Sequence, residues 1–244
     1  MNIDGKSALI TGGGSGIGKA TALRLARGGA SVVVADISAA LGQATVDDIT
    51  KAGGRASLEV ADARQDGDLV RVFEATTRLH GRIDIVINNA GILTGTPAFP
   101  ETPAEQWRRV IELNLIAVIR GTQLAIQAMR QKGGGVIVNT ASVAGLNAWN
   151  MDPVYSASKG GVVLFTKALA GLKVSDNIRV NCVCPTLVQT PLVSEAADPR
   201  ISNLIRITTL TPEQVADAVL RLIEDEDLAG AALRLLPNEA PALV

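Results

Sequence analysis

Six short apolar runs punctuate this chain of 244 residues: SALIT (residues 7–11), SVVVAD (31–36), RIDIVINNAG (82–91), GVIVNTAS (135–142), IRVNCVCP (178–185) and AALRLL (231–236). Their apolarity is continuous rather than alternating and rich in β-branched residues. That pattern suits strands covered on both faces, as in a parallel sheet. A further strand is expected around SLEV (57–60). Helical patterns fill the gaps, at 16–27, 38–51, 66–79, 103–129, 154–172 and 212–223. Strand–helix alternation of this kind implies right-handed crossovers and one doubly wound parallel sheet of about seven strands, an α/β fold with helices on both faces. No linker, repeat or low-complexity stretch interrupts it, so residues 1–244 read as one domain.

Composition narrows the classes of function. Lys+Arg number 23 against Asp+Glu 24, a net charge of −1 with no basic run, which speaks against nucleic-acid binding. The start, MNIDGKSALITGGG, has no charged leader ahead of an apolar stretch, and no uninterrupted apolar run approaches the roughly 18 residues of a membrane span. A cytoplasmic protein without a membrane partner is expected. Cys182 and Cys184 read as two buried free thiols in a reducing compartment, placed on opposite faces of their strand. No Cys/His grouping has metal-ligand spacing. His80, the single histidine, stands before Gly81 at an expected helix end, so a Ser-His-Asp hydrolase is not expected.

TGGGSGIGKA follows the first strand and opens the first helix. Gly12, Gly16 and Gly18 let the chain turn tightly and approach a pyrophosphate, which the helix N-terminus then stabilises; Ser15 and Ile17 lie between them. Asp36 ends the second strand, eighteen positions after Gly18. A carboxylate there accepts hydrogen bonds from ribose hydroxyls and repels a 2′-phosphate. Together these features form a Rossmann-like dinucleotide site that favours NAD.

PVYSASKG holds Tyr155, the only tyrosine of the chain, four residues before Lys159. Positions i and i+4 share a helix face. Free tyrosine has a pKa of about 10; a nearby ammonium and the positive nicotinamide ring of an oxidised cofactor both favour the phenolate, which predicts a lowered phenol. TGGGSGIG, NNAG (88–91), Ser142 in VNTASVAG and the Tyr155–Lys159 pair occur in the order of, and together resemble, the short-chain dehydrogenase/reductase family over roughly residues 6–191.

The resemblance implies that Tyr155 is the catalytic acid/base, that Ser142 binds the substrate oxygen, and that Asn114 in IELNLI holds a water linking Lys159 to solvent. It further implies cofactor contacts from Asp62 at the end of the third strand, from Asn88, Ala90 and Gly91, from Pro185 and from Thr190, beside Tyr155 and Lys159 themselves. Where NADP-using relatives often carry a basic residue, this chain has Ser15. Two departures stand out. Pro185 is followed by Thr186 where the family has glycine, which permits φ > 0, and the C-terminal AGAALRLLPNEAPALV lacks the family's Asp-Gly-Gly.

The expected activity is NAD-dependent interconversion of a secondary alcohol and its ketone. Leu93, Leu146, Trp149, Met151, Thr186, Leu187 and Leu192 are the expected substrate contacts, the last three in a substrate loop at about 186–208. No arginine or lysine occurs at 93–97 or 143–152; Arg200 and Arg206 follow in the third loop. The expected substrate is therefore a neutral cyclic or aryl-alkyl secondary alcohol, terpenoid or phenylethanol-like. The competing readings are an acyl-carrier-protein ketoreductase and a non-catalytic dinucleotide-binding protein. Apolar surface on the helices at 106–129 and 154–172 leads to the expectation of a homotetramer.

Overall fold

The computed structural model describes residues 1–194 and 209–244. Its sheet has eight strands: β1 (Ser7–Thr11), β2 (Ser31–Asp36), β3 (Arg55–Val60), β4 (Ile85–Asn88), β5 (Gly135–Thr140), β6 (Ile178–Pro185), β7 (Ala232–Leu235) and β8 (Ala242–Leu243), in the order β3-β2-β1-β4-β5-β6-β7-β8. The first seven pair in parallel. β8 is the addition to the expected seven: it runs antiparallel to β7, and the Val244 N–H reaches Ala232 O at 3.0 Å.

Alternate residues of each strand face opposite layers. Ala8 and Ile10 of β1 pack with α1 (Gly16–Arg27) and α2 (Ala39–Lys51), and the same layer holds α9 (Pro212–Glu224). Leu9 faces the other layer, which holds α3 (Asp66–His80), α5 (Ala117–Arg130) and α6 (Pro153–Ala168). Cys182 and Cys184 both lie in this second layer, against Val118, Val162 and Val163, which corrects their expected placement on opposite faces. Positions i and i+2 of a strand point the same way.

Two expected helices are divided. Between α4 (Ala104–Ile111) and α5 the helix widens into a π turn at Glu112–Ile116. No proline or glycine marks that turn, so the sequence pattern runs through it. The whole stretch Ala104–Arg130 is long and apolar enough to cross a membrane by length and composition; its Val110, Val118, Ala125 and Met129 are buried inside the protein. α6 stops at Ala168, and α7 (Leu172–Asp176) follows until Asn177 turns left-handed at φ 54°. α8 is the single turn Pro191–Ser194. His80 closes α3 before left-handed Gly81, as the sequence suggested.

Candidate active site

The strand order reverses on either side of β1, whose neighbours β2 and β4 lead outward. In such sheets ligands bind at the carboxyl ends of the strands beside that switch point. A cavity of about 760 Å³ opens there, walled by the ends of β1, β2, β4, β5 and β6.

One half is made of main chain. Gly12 has φ +64°, and a Cβ on it would sit 2.9 Å from Ala90 Cα. Gly16 has φ +50°, and a Cβ there would come 2.8 Å from Thr190 Cγ2. Gly18 faces away from the cavity; a Cβ on it would overlap Gly12 O, so this glycine lets α1 pack under the turn rather than touching a ligand. Ser15 caps α1 in extended conformation, and with Gly16 and Ile17 it lines the cavity at the helix N-terminus. This cradle, closed to side chains and open to backbone N–H groups, fits a pyrophosphate. Asp36 lines the same half, with its carboxylate fixed by Gly14 N–H at 2.8 Å and Ser38 N–H at 2.9 Å.

Asp62 lies two residues beyond β3, not at its end. It is gripped by Arg64, whose hydrogen bonds hold its carboxyl below the usual range. Ala90, Gly91, Pro185 and Thr190 line the cavity as expected from the sequence. Asn88 does not. Its amide points away, donating to Thr122 Oγ1 at 3.1 Å and Asn139 Oδ1 at 2.9 Å beneath α5. Asn89 is the asparagine on the cavity side, donating to Thr11 O and Gly12 O and so holding the glycine turn. Strand alternation at NNAG was the signal that could have separated the two.

The other half carries side-chain chemistry. Ser142 follows β5; its hydroxyl accepts from Ala144 N–H at 3.1 Å and donates to Pro185 O at 3.3 Å. Tyr155 lies in the first turn of α6 and, with Ser142, lines the cavity. Lys159, one turn on, donates to Thr140 O at 2.7 Å, with its Nζ 5.8 Å from the Tyr155 ring centre. Burial pushes the phenol up to about 12, against the pull of the Ser142 hydroxyl and with a push from the Asp152 charge. In the protein without dinucleotide the phenol thus stands above its ordinary value; the expected lowering counted on the oxidised nicotinamide ring as well as on the lysine. Desolvation outweighs a neighbouring charge. Burial also brings Lys159 down to about 8.

Asn114 sits in the π turn outside the cavity. It pairs with both backbone groups of Ile92, at 2.9 and 2.8 Å, and donates to Ser158 Oγ at 3.3 Å. Among the expected substrate contacts, Leu93, Trp149, Thr186, Leu187 and Leu192 line the cavity. Leu146 does not: it packs on the layer of Val118 and Val162. Met151 likewise lies off the cavity wall. Sequence reasoning missed Leu113, Arg109 and Asn147, which come from a helix face and a loop whose direction no motif fixes. Arg200, Arg206 and residues 195–208 of the expected substrate loop lie outside the described residues. Thr186 is accommodated without left-handed backbone: among the described non-glycine residues only Asn177 and Asn238 have φ > 0. Its N–H is bound by Leu235 O at 3.1 Å.

A cavity with this cradle and this serine–tyrosine–lysine set has counterparts in known proteins. The family model described as short chain dehydrogenase matches residues 6–200. The chain belongs to the short-chain dehydrogenase family. A cyclohexanol dehydrogenase of Acinetobacter sp. (strain SE19) is 42% identical to this short-chain dehydrogenase, over 91% of it and 88% of the relative. A cyclopentanol dehydrogenase of Comamonas sp. (strain NCIMB 9872) is 36% identical over 92% of each. The solved 3-ketoacyl-(acyl-carrier-protein) reductase from Brucella melitensis, complexed with NADH, superposes with a TM-score of 0.87 at 32% identity, over 96% of this chain and 97% of that one.

The short-chain dehydrogenase cavity thus offers one end to a dinucleotide and the other to a proton exchange. A bound nicotinamide dinucleotide supplies the hydride acceptor or donor and, when oxidised, a positive ring that favours the phenolate. The chain brings to the proton-exchange end the Ser142 hydroxyl and the Tyr155 phenol, two groups able to donate and accept hydrogen bonds. Lys159, itself buried, places a cation beside that phenol.

Proposed function

We propose that this short-chain dehydrogenase interconverts a neutral, cyclic secondary alcohol and its ketone, using NAD, with Tyr155 as acid/base, Ser142 on the substrate oxygen and Lys159 beside the phenol. The observation that carries the reading is the apolar wall that shares the cavity with Ser142 and Tyr155. It is formed by Leu93, Trp149, Leu187 and Leu192, with Trp149 standing edge-on to the Tyr155 ring at 5.9 Å and 77°. The described cationic groups on the cavity are already engaged: Arg64 with Asp62, Arg109 with Glu105, and Lys159 with Thr140 O. A carboxylate or phosphate on the substrate gains no free partner among them. Pockets of this kind select by shape and apolar area, with a few polar groups fixing orientation. The cyclic-alcohol names of the two relatives agree with that wall.

Asp36 supports NAD over NADP. Its carboxylate faces the cavity at the end of β2, where a 2′-phosphate would meet like charge. The exposed Ile116 at the end of the π turn, Ile119 of α5 and Leu164 of α6, which is 71% exposed, support a homotetramer built through these helices. Light scattering gives the mass, and a monomer would exclude it. The decisive assay is a panel of cyclic and acyclic secondary alcohols, hydroxy acids and acyl thioesters, each with NAD and NADP. Cyclic alcohols with NAD are expected to give the highest kcat/KM, with NAD preferred by at least about a hundredfold. Trp149→Ala raises KM more for cyclohexanol-sized alcohols than for 2-propanol. A thioester or an anionic hydroxy acid as best substrate overturns the reading.

A further inference from the structure

Asp152 caps α6, and a cap needs one acceptor. This one makes three bonds. Its carboxylate accepts from Tyr155 N–H at 2.9 Å, from Thr94 N–H at 2.8 Å and from Thr94 Oγ1 at 2.6 Å, while the side chain is only 5% exposed. Its own N–H binds Trp149 O at 3.1 Å. A buried carboxylate is an expensive cap where serine or asparagine would serve the helix. The two extra bonds run to a residue 58 positions away, on the loop after β4.

That loop carries Leu93, part of the apolar wall, directly before Thr94. Its other side is anchored by Gln106 of α4, which donates to Thr94 O and Thr96 O, and Gly95 supplies the turn between them at φ +79°. The loop is thus suspended between α4 and the first turn of α6. Asp152 is the point where Leu93, Trp149 and Tyr155 are joined.

We propose that Asp152 is a positioning residue of the reaction, a clamp that fixes the loop bearing Leu93 to the first turn of α6 and so sets the distance between the apolar wall and the Tyr155 phenol. The clamp's effect on turnover rests on the reading of Tyr155 as the proton-transfer group for a secondary alcohol. The clamp itself does not. Asp152→Asn keeps size and shape but offers one acceptor oxygen. Its NH2 group must then face either the Thr94 N–H or the Tyr155 N–H.

The test measures steady-state kinetics and amide hydrogen exchange on the full-length protein. In Asp152→Asn, kcat/KM for cyclic secondary alcohols is expected to fall by about ten- to a hundredfold, the scale of a small misplacement of reacting groups, with NADH affinity unchanged. Thr94→Val should lose part of this activity and Thr94→Ser retain it. The Asp152→Asn/Thr94→Val double variant should be no worse than Asp152→Asn, since both break one connection. Exchange should quicken in peptides covering residues 92–97 and the first turn of α6, and nowhere else.

Should Asp152→Asn fail to fold, the Thr94→Val and Thr94→Ser pair decides between clamp and plain cap: equal activity in the two overturns the clamp. Multiplicative losses in the double variant, or unchanged exchange at 92–97, overturn it as well. An unaltered protein inert toward every alcohol sinks the substrate reading instead, and the exchange arm still decides the clamp.

Discussion

Where the dinucleotide half of the cavity is main chain brought close, the substrate half is side chains hung on loops. Gly12, Gly16 and Gly18 build the first by leaving out atoms, each in contact with a neighbour that a Cβ would strike. Leu93, Trp149, Thr186 and Leu192 build the second with their side chains. Between the halves stand Ser142, Tyr155 and Lys159, on a rigid helix and a strand end. The difference teaches that one half tolerates almost no substitution and the other can be retuned by single side chains. The variants below probe each side of it.

The largest expected effect lies at the junction. Tyr155→Phe keeps the ring and its edge-to-face packing on Trp149 but removes the transferable proton. General acid–base contributions of about 10²- to 10⁴-fold set the expected fall in kcat. NADH binding, measured by fluorescence titration, should stay within about twofold, because the ring that packs there is unchanged. Substantial turnover in this variant would take the phenol out of the chemistry.

The two halves also differ in how far the sequence revealed them. The glycine turn was legible because its reason is steric and local: the spacing and the strand–helix context leave few alternatives. Tyr155 and Lys159 were legible as sharing one helix face, and their roles with Ser142 as what the resemblance to the family implies. The π turn around Asn114, the orientation of Asn88 and the off-wall positions of Leu146 and Met151 were not, since each is decided by packing against distant elements. The raised Tyr155 phenol of the protein without dinucleotide was not legible for the same reason. Burial is a property of the whole fold, and it outweighs the pull of the Ser142 hydroxyl.

That shift gives the second prediction. Tyr155 is the sole tyrosine, so ultraviolet difference absorbance titrates it alone. Its midpoint in the free protein is expected near 12, against the ordinary 10.0, and should drop when NAD is added. Below the midpoint the phenolate fraction rises tenfold per pH unit, so alcohol oxidation should climb about a hundredfold over two units while ketone reduction, which uses the phenol, stays flat. The folded state holds this proton more tightly than the unfolded chain. Its stabilising contribution is complete below pH 10 and disappears as pH rises toward 12. Lys159, depressed from 10.5 to about 8, acts the other way: stability declines as pH falls across that window and levels off below it. A free-protein midpoint at or below 10 would show that burial does not govern the site.

Gly18→Ala tests the main-chain half. The added Cβ overlaps Gly12 O, and neither partner is a flexible side chain. Overpacking of this kind costs about 1–3 kcal/mol, and the turn can relieve it only by moving the cradle. NADH affinity should fall by about ten- to a hundredfold, with the relative order of alcohols unchanged. If affinity holds while alcohol preference changes, the two halves are not separable in the way their construction suggests.

The smallest effect is expected at Thr186, the one position on the substrate side where the family has glycine. Were that glycine required for left-handed backbone, restoring it would relieve strain and raise stability. Thr186 has no positive φ, and its N–H is already bound by Leu235 O, so there is no strain to relieve. Thr186→Gly should instead lower stability by about 0.5–1 kcal/mol, because the unfolded chain gains freedom. Activity on cyclic alcohols should change by less than about threefold, with a relative gain for bulkier substrates as the wall recedes. Thermal melting and kcat/KM across ring sizes measure both. A rise in Tm would mean that the threonine backbone is strained. A tenfold loss of activity would mean that its hydroxyl binds the substrate, and the retunable half would then contain a residue as constrained as the glycines opposite.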